Sequence, residues 1–73
     1  QTTIQRADKV HIYKGTTATF GSASSVANAA LSSSGNSFTI TGSPGSIAFV
    51  WAVLQNNGTG AFGYESKPLL ILF

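Results

Sequence analysis

"SIAFVWAVLQNNGTG", from Ser46 to Gly60, contains the most apolar run of the chain, and none of its residues is charged. Its first part is rich in β-branched and aromatic residues, which favour strands. Alternate side chains of a strand point to opposite faces, and here both faces are apolar: Ile47, Phe49, Trp51 and Val53 on one, and Ala48, Val50, Ala52 and Leu54 on the other. A strand with one face in water alternates with polar residues, so we expect this strand to be covered on both faces.

The residues after this strand predict a hairpin and a second strand that is apolar on both faces. Asn57-Gly58 is typical of a two-residue type I′ turn, which sends the chain back through "AFGYE", Ala61 to Glu65. Pro68 then marks a break or an edge position, because proline cannot donate a ladder hydrogen bond. The closing "LLILF", Leu69 to Phe73, must pair into a sheet and pack, in its own subunit or in a neighbour's.

The residues before Ser46 predict further strands separated by turns. "DKVHIYK", Asp8 to Lys14, alternates apolar and polar residues, and Gly15 permits a reversal into "TTATF", Thr16 to Phe20, as a first hairpin. "SFTITG", Ser37 to Gly42, alternates in the same way, and Pro44-Gly45 suits the centre of a type II turn. Each of these patterns has the period of two that is typical of strands.

The middle segment, Gly21 to Asn36, is low in complexity and leaves three structures open. Ser24 or Ser25 could cap a short helix that runs to Leu31, because a serine hydroxyl accepts from free first-turn amides. A loop or an irregular edge strand explains the same residues. The whole chain therefore predicts an all-β fold, a small antiparallel β-sandwich or partly open barrel of five to six strands with at most one short helix.

A length of 73 residues makes one domain, residues 1–73, in which residues 1–8 can form an extended N-terminal arm. A domain this small usually needs disulfides, a structural metal or partner subunits, because its core is thin. The chain has no cysteine, and Asp8, His11 and Glu65 are too few for a closed metal site. We therefore expect no cofactor, and we expect association with other subunits to supply the missing stability.

All the charged residues lie near the two ends of the chain, and Gly15 to Tyr64 contains none. Ordinary soluble surfaces carry about 25–35% charged residues, which keep molecules apart. A neutral polar surface is either covered by neighbours or exposed where neutrality is tolerated, as on secreted and virion-surface proteins. In composition, the Ser-, Thr-, Gly- and Ala-rich strands resemble the small β-modules of virus and phage particles, such as decoration, fibre or tail subunits. We expect a virion or extracellular location.

Chemical and nucleic-acid functions find little support in the sequence. Asp8 and His11 could form a triad with a serine, but no G-x-S-x-G elbow presents a nucleophile. Asp8 and Glu65 as a catalytic pair would use every carboxylate of the chain. The basic residues Arg6, Lys9 and Lys14 are better explained as a solvated segment than as a phosphate-binding one, and no phosphate loop is present. We therefore expect no enzyme, no nucleic-acid partner and no membrane span, since the longest apolar run, Ile47 to Leu54, is short.

The remaining expectation is a structural subunit that associates with itself and with other proteins of a larger assembly. We expect the segment Gln1 to Lys14 to grip a neighbour as a polar arm. The predicted assembly contacts are Ile47, Phe49, Trp51, Val53, Leu69, Leu70, Ile71, Leu72 and Phe73. The alternative is a secreted carbohydrate-binding module with Tyr13, Trp51 and Tyr64 facing the ligand, because aromatic rings offer flat apolar surfaces to sugars. Asn57-Gly58-Thr59 also matches a glycosylation sequon, although its role as a turn already explains these residues.

Overall fold

The computed structural model describes all residues, 1–73, and shows five strands in one antiparallel sheet that does not close. The elements are β1 (Lys9–Gly15), a 3₁₀ turn (Phe20–Ser22), β2 (Ser24–Ala30), β3 (Ile47–Asn56), β4 (Ala61–Glu65) and β5 (Leu69–Leu72). The prediction of an all-β domain is confirmed. The cover over each face comes from a loop rather than from a second sheet, and the only helical element is the lone 3₁₀ turn.

Strand β3 lies at the centre of the sheet. It pairs with β1 along one side, and β2 lies beyond β1 at the outer edge. Its other side is shared: β4 pairs with its C-terminal part and β5 with its N-terminal part, Ile47 to Val50. Between β4 and β5, Ser66 is held to β3, because its amide donates to the Ala52 carbonyl at 2.9 Å and its hydroxyl accepts from the Ala52 amide at 2.9 Å. Strands β4 and β5 therefore form one interrupted edge.

Both faces of β3 are apolar and both are covered at its centre, as the sequence predicts. We call the face that carries Val50 the Val50 face, and the opposite one the Trp51 face. On the Val50 face, Val10, Ile12 and Val50 form a buried cluster, and the side chains that pack against it are Ala27, Phe38, Ile40, Ala52 and Ile71. Phe38 and Ile40 belong to the loop between β2 and β3 and form the lid over this face.

The Trp51 face is covered by the 3₁₀ turn. The Phe20 ring meets the Trp51 ring edge-on, with centroids 5.7 Å apart, and meets the Tyr13 ring in the same way at 5.1 Å. Such edge-to-face arrangements place the positive rim of one ring against the negative face of another. Gly15 lies close to Trp51, since an added Cβ would be 3.5 Å from its Cζ3 atom. Trp51 is only 2% exposed and Val53 is fully buried.

Two predicted strands do not form. Thr16 to Phe20 does not pair with β1, because Phe20 folds over the sheet to contact Trp51, and β2 takes the place beside β1 instead. Among the alternatives for the middle segment, β2 is the irregular edge strand, with a bulge at Val26. Ser37 to Gly42 forms no strand, although its alternation is real, because Phe38 and Ile40 both turn to the core while the backbone joins no ladder.

One of the two predicted turns is confirmed. At Pro44-Gly45 the Ser46 amide donates to the Ser43 carbonyl at 3.1 Å, and Gly45 has a φ of +83°, as a type II turn requires. The type I′ turn at Asn57-Gly58 is wrong, since neither residue has positive φ. The loop has four residues, and Gly60, with a φ of +79°, supplies the left-handed position.

The molecule is a thin slab of 39 × 26 × 15 Å with a Cα radius of gyration of 12.7 Å. A compact domain of this length has a radius of gyration of about 11 Å, so the chain is flatter than usual. Only 7 of the 73 residues are buried, which shows how little core one sheet with two loop covers provides. None of its elements is a helix of the length and apolarity needed to cross a membrane.

Candidate assembly surface

The inner side of β5 is firmly attached to its own chain. The Phe73 amide donates to the Ser46 carbonyl at 2.9 Å, and the Phe73 carbonyl accepts from the Gly45 amide at 2.8 Å. The Lys14 ammonium lies 5.2 Å from the centre of the Phe73 ring, close enough for a cation–π interaction. The ring also rests directly on Gly42, where an added Cβ would be only 2.5 Å from it. The last strand is therefore anchored along its inner side.

The outer side of β5 has no partner. Along an antiparallel strand, successive residues direct their backbone groups to opposite sides. Since both backbone groups of Phe73 point inward, those of Leu72 and Leu70 point away from the sheet. The side chains around them are also exposed: Leu69 is 63%, Leu70 51% and Leu72 74% exposed, and the neighbouring Ile47 is 48% exposed. We call these four residues the β5 edge patch.

The adjoining edge of β4 is covered by the N-terminal segment. The Thr2 amide donates to the Phe62 carbonyl at 3.0 Å, and the Ile4 side chain lies over Gly63, 3.2 Å from where a Cβ would be. Further along, the Asp8 amide donates to the Gln55 carbonyl at 3.1 Å. The segment predicted as an arm for a neighbour, Gln1 to Lys14, is thus held by its own chain: the part before β1 lies along the β3–β4 hairpin, and Lys9 to Lys14 belong to β1 inside the sheet. This leaves β5 as the uncovered part of this side.

The far edge of the sheet, β2, differs in character from β5. Its residues are mostly small, and the polar residues Ser24, Ser25 and Asn28 are exposed along it. The bulge at Val26, which is 51% exposed, interrupts the regular ladder geometry. Bulges and polar side chains discourage the addition of another strand to an edge. The β5 edge carries neither feature.

The structure places the predicted assembly residues in three environments. Four of them form the exposed β5 edge patch: Ile47, Leu69, Leu70 and Leu72. Three are half-buried and pack within the chain: Phe49, Ile71 and Phe73. Trp51 and Val53 are buried inside the fold and cannot touch a neighbour directly. No pattern in the sequence separates these groups, because a run of apolar residues looks the same whether its strand is central or at an edge.

The aromatic residues of the carbohydrate-binding alternative do not form a common platform. Trp51 is buried, so its faces are not available to a ligand. Tyr13 is half-buried and its ring packs against Phe20. Tyr64 is 66% exposed on β4. The three rings thus lie in three different environments, and no observation favours this alternative.

Two of the residues considered for catalysis, His11 and Asp8, are engaged in structural contacts. His11 Nε2 is hydrogen-bonded to Gln55 Oε1 at 2.7 Å, and its ring meets Phe62 edge-on with centroids 4.9 Å apart. Asp8 Oδ1 accepts from the Asn57 amide at 2.6 Å. This last contact ties the β3–β4 loop to the N-terminal segment. It also helps to explain why the loop does not adopt the type I′ geometry.

Comparison with known proteins finds no matching protein family, no matching curated protein and no matching solved structure. The function is therefore inferred from the sheet itself. Its most distinctive feature is the difference between edges that are covered or blunted and the β5 edge, which is apolar and open.

Proposed function

We propose that this chain is a non-enzymatic structural subunit that associates with itself through the β5 edge and builds into a larger symmetric assembly. The observation that carries the proposal is the uncovered backbone of Leu70 and Leu72 within an exposed apolar patch. An open, apolar edge strand is a template for pairing with another strand. Pairing supplies the backbone hydrogen bonds, and the leucine side chains supply the apolar contact.

The surface area of the chain supports the need for a partner. A folded monomer of 7.5 kDa is expected to expose about 4,250 Å². This chain exposes 4,794 Å², an excess of roughly 550 Å². A stable interface of standard size buries about 800 Å² on each partner. The excess exposed area is therefore comparable to a small interface, which agrees with weak pairing of two copies.

The apolar content of the patch leads to the same conclusion. The exposed fractions of Ile47, Leu70 and Leu72 together correspond to nearly two fully exposed aliphatic side chains in each copy. Full burial of such a side chain contributes about 1.5–3 kcal/mol, so a pair of copies gains roughly 5–10 kcal/mol. Association itself costs about 4–15 kcal/mol in lost freedom of motion. One contact therefore gives weak binding, and linked contacts in a symmetric assembly strengthen it.

The setting we propose is a virus or phage particle, as a decoration, fibre or tail component. This part of the proposal comes from the uncharged stretch of 50 residues between Gly15 and Tyr64 and from the small, neutral polar side chains that dominate it. Such surfaces lack the charges that keep soluble proteins apart, and they are found where neighbours cover them or where neutrality is tolerated, as on virion surfaces. Other proteins of the same assembly would be further partners.

The proposal is tested by sedimentation velocity over a wide range of protein concentrations. We expect the wild-type chain to associate reversibly and Leu72→Lys to remain monomeric, because the new charge would be buried in the contact. The matched control is Val26→Lys, which places the same charge on an exposed apolar residue of the opposite edge. A wild-type chain that stays monomeric at all concentrations would contradict the proposal, as would equal loss of association in both variants.

A further inference from the structure

We infer that two copies pair through β5 in antiparallel orientation about a two-fold axis at Ile71, with Leu70 of each copy opposite Leu72 of the other. This inference rests on the proposed self-association and specifies its geometry. The occupant of the β5 edge is then a second copy of this chain. The sheet continues through both copies, and its Trp51 and Val50 faces remain aligned, because the axis is perpendicular to the sheet.

The register follows from the outward backbone groups. Leu70 and Leu72 each present one free N–H and one free carbonyl at the edge. Directly opposite residues of this kind exchange two hydrogen bonds in an antiparallel ladder. When Leu70 faces Leu72 of the second copy, the two-fold axis also places Leu72 opposite Leu70 of that copy. Both pairs exchange hydrogen bonds, so every outward N–H and carbonyl of Leu70 and Leu72 has a partner. A C2 interface of this kind is self-complementary.

The alternative symmetric registers satisfy fewer groups. An axis at Leu70 would place Pro68 opposite Leu72, and Pro68 has no N–H to donate to the Leu72 carbonyl. An axis at Leu72 would place Leu70 beyond the end of the second copy's β5, Leu69–Leu72, and so leave its outward groups without a partner in that strand. The register centred on Ile71 uses the whole of β5 and avoids the proline.

The side chains also match in this register. Leu70 and Leu72 lie on the Trp51 face beside Ile47, so these three residues of each copy form one apolar strip across the axis, whereas Leu69 lies on the Val50 face. No residue from Leu69 to Phe73 is charged, so the strand meets its own copy without like-charge repulsion. A charged peptide bound along β5 would find no ion-pair partner there, because the strand carries no charge. These features favour a second copy over a charged partner.

The approach of the second copy is not blocked by the covered part of the edge. Strand β4 precedes β5 on the same side of β3, and the N-terminal segment lies against β4. In the antiparallel arrangement the β4 strands of the two copies lie at opposite ends of the contact. The N-terminal segments therefore stay outside the pairing.

The geometry is tested with engineered cysteines, for which the chain is well suited because it has none of its own. Ile71→Cys places two thiols opposite each other, with Cα atoms about 4.5 Å apart, within the range of a disulfide. We expect this variant to form covalent dimers at least tenfold faster under mild oxidation by glutathione disulfide than Ala30→Cys. Ala30 is the control because it is exposed at the end of the opposite edge strand.

A second pair of variants tests the same register without replacing Ile71, which is half-buried. A mixture of Leu70→Cys and Leu72→Cys chains should form the mixed dimer, because these residues face each other. Each variant alone should cross-link at least tenfold more slowly, since two copies of the same residue would be about 8 Å apart, beyond disulfide reach. Faster cross-linking of Leu70→Cys or Leu72→Cys alone would overturn the register.

Sedimentation velocity of each variant under reducing conditions shows whether the variant still associates. This measurement separates self-association from the geometry of the β5 pairing. Association without preferential cross-linking at Ile71 or in the mixture would overturn the β5 pairing and leave self-association intact. Cross-linking of Ala30→Cys at the same rate would likewise overturn it, because random collision would then explain the dimers. A chain that does not associate would overturn the proposed function together with this inference.

Discussion

The centre of β3 and the strand β5 have the same kind of sequence and opposite environments. Both are uncharged, and both are apolar on their two faces. Trp51 and Val53 in β3 are buried, whereas Leu69, Leu70 and Leu72 in β5 are more than half exposed. The difference is one of position, since β3 has strands on both sides and β5 on one. An apolar strand predicts that its side chains will be covered. The position of the strand in the sheet determines whether the same chain provides that cover.

Replacing the central side chain of the covered region should have the largest effect. Trp51→Ala removes the ring that packs against Phe20 and Phe49, and the loss of a buried tryptophan costs about 3–5 kcal/mol of unfolding free energy. Urea denaturation followed by circular dichroism measures this change, and we expect the small domain to be largely unfolded. Tyr64→Ala, at a 66% exposed aromatic residue, is the control and should change the unfolding free energy by less than about 0.5 kcal/mol. Equal effects of the two variants would contradict the assigned core.

A glycine beneath the end of β5, Gly42, tests how the exposed strand is anchored on its inner side. Gly42→Ala would place a Cβ 2.5 Å from the Phe73 ring, so the ring must move. Such overpacking costs about 1–3 kcal/mol, measured by the same urea denaturation. Gly21→Ala is the control, since nothing lies within 4 Å of its added Cβ. A Gly42→Ala chain as stable as the Gly21→Ala chain would show that Phe73 does not rest on this loop.

The strand character of the molecule follows from the sequence, but the pairing of its strands does not. Alternation identifies β1, whereas short uninterrupted runs of bulky apolar residues identify β3 and β5. The same alternation at Phe38 and Ile40 produces a lid without a strand, since side-chain direction does not specify backbone partners. Nor does it show that Phe20 would cover Trp51.

The two predicted turns also show that local sequence patterns determine the structure only in part. Pro44-Gly45 forms the expected turn because the two residues themselves set the required dihedral angles. Asn57-Gly58 does not form the expected turn. The Asn57 amide instead donates to the Asp8 carboxylate, which is 49 residues away in sequence. Of the predicted assembly residues, those at the edge could be separated from those of the core only once the strand order was known.

The most direct test of the account is amide hydrogen exchange of β5, measured by NMR at low and high protein concentration. The amides of Ile71 and Phe73 point into the sheet and should be protected at both concentrations. The amides of Leu70 and Leu72 should exchange rapidly in dilute solution and become protected as the chain associates. If the chain associates while Leu70 and Leu72 remain unprotected, the β5 edge is not the contact surface.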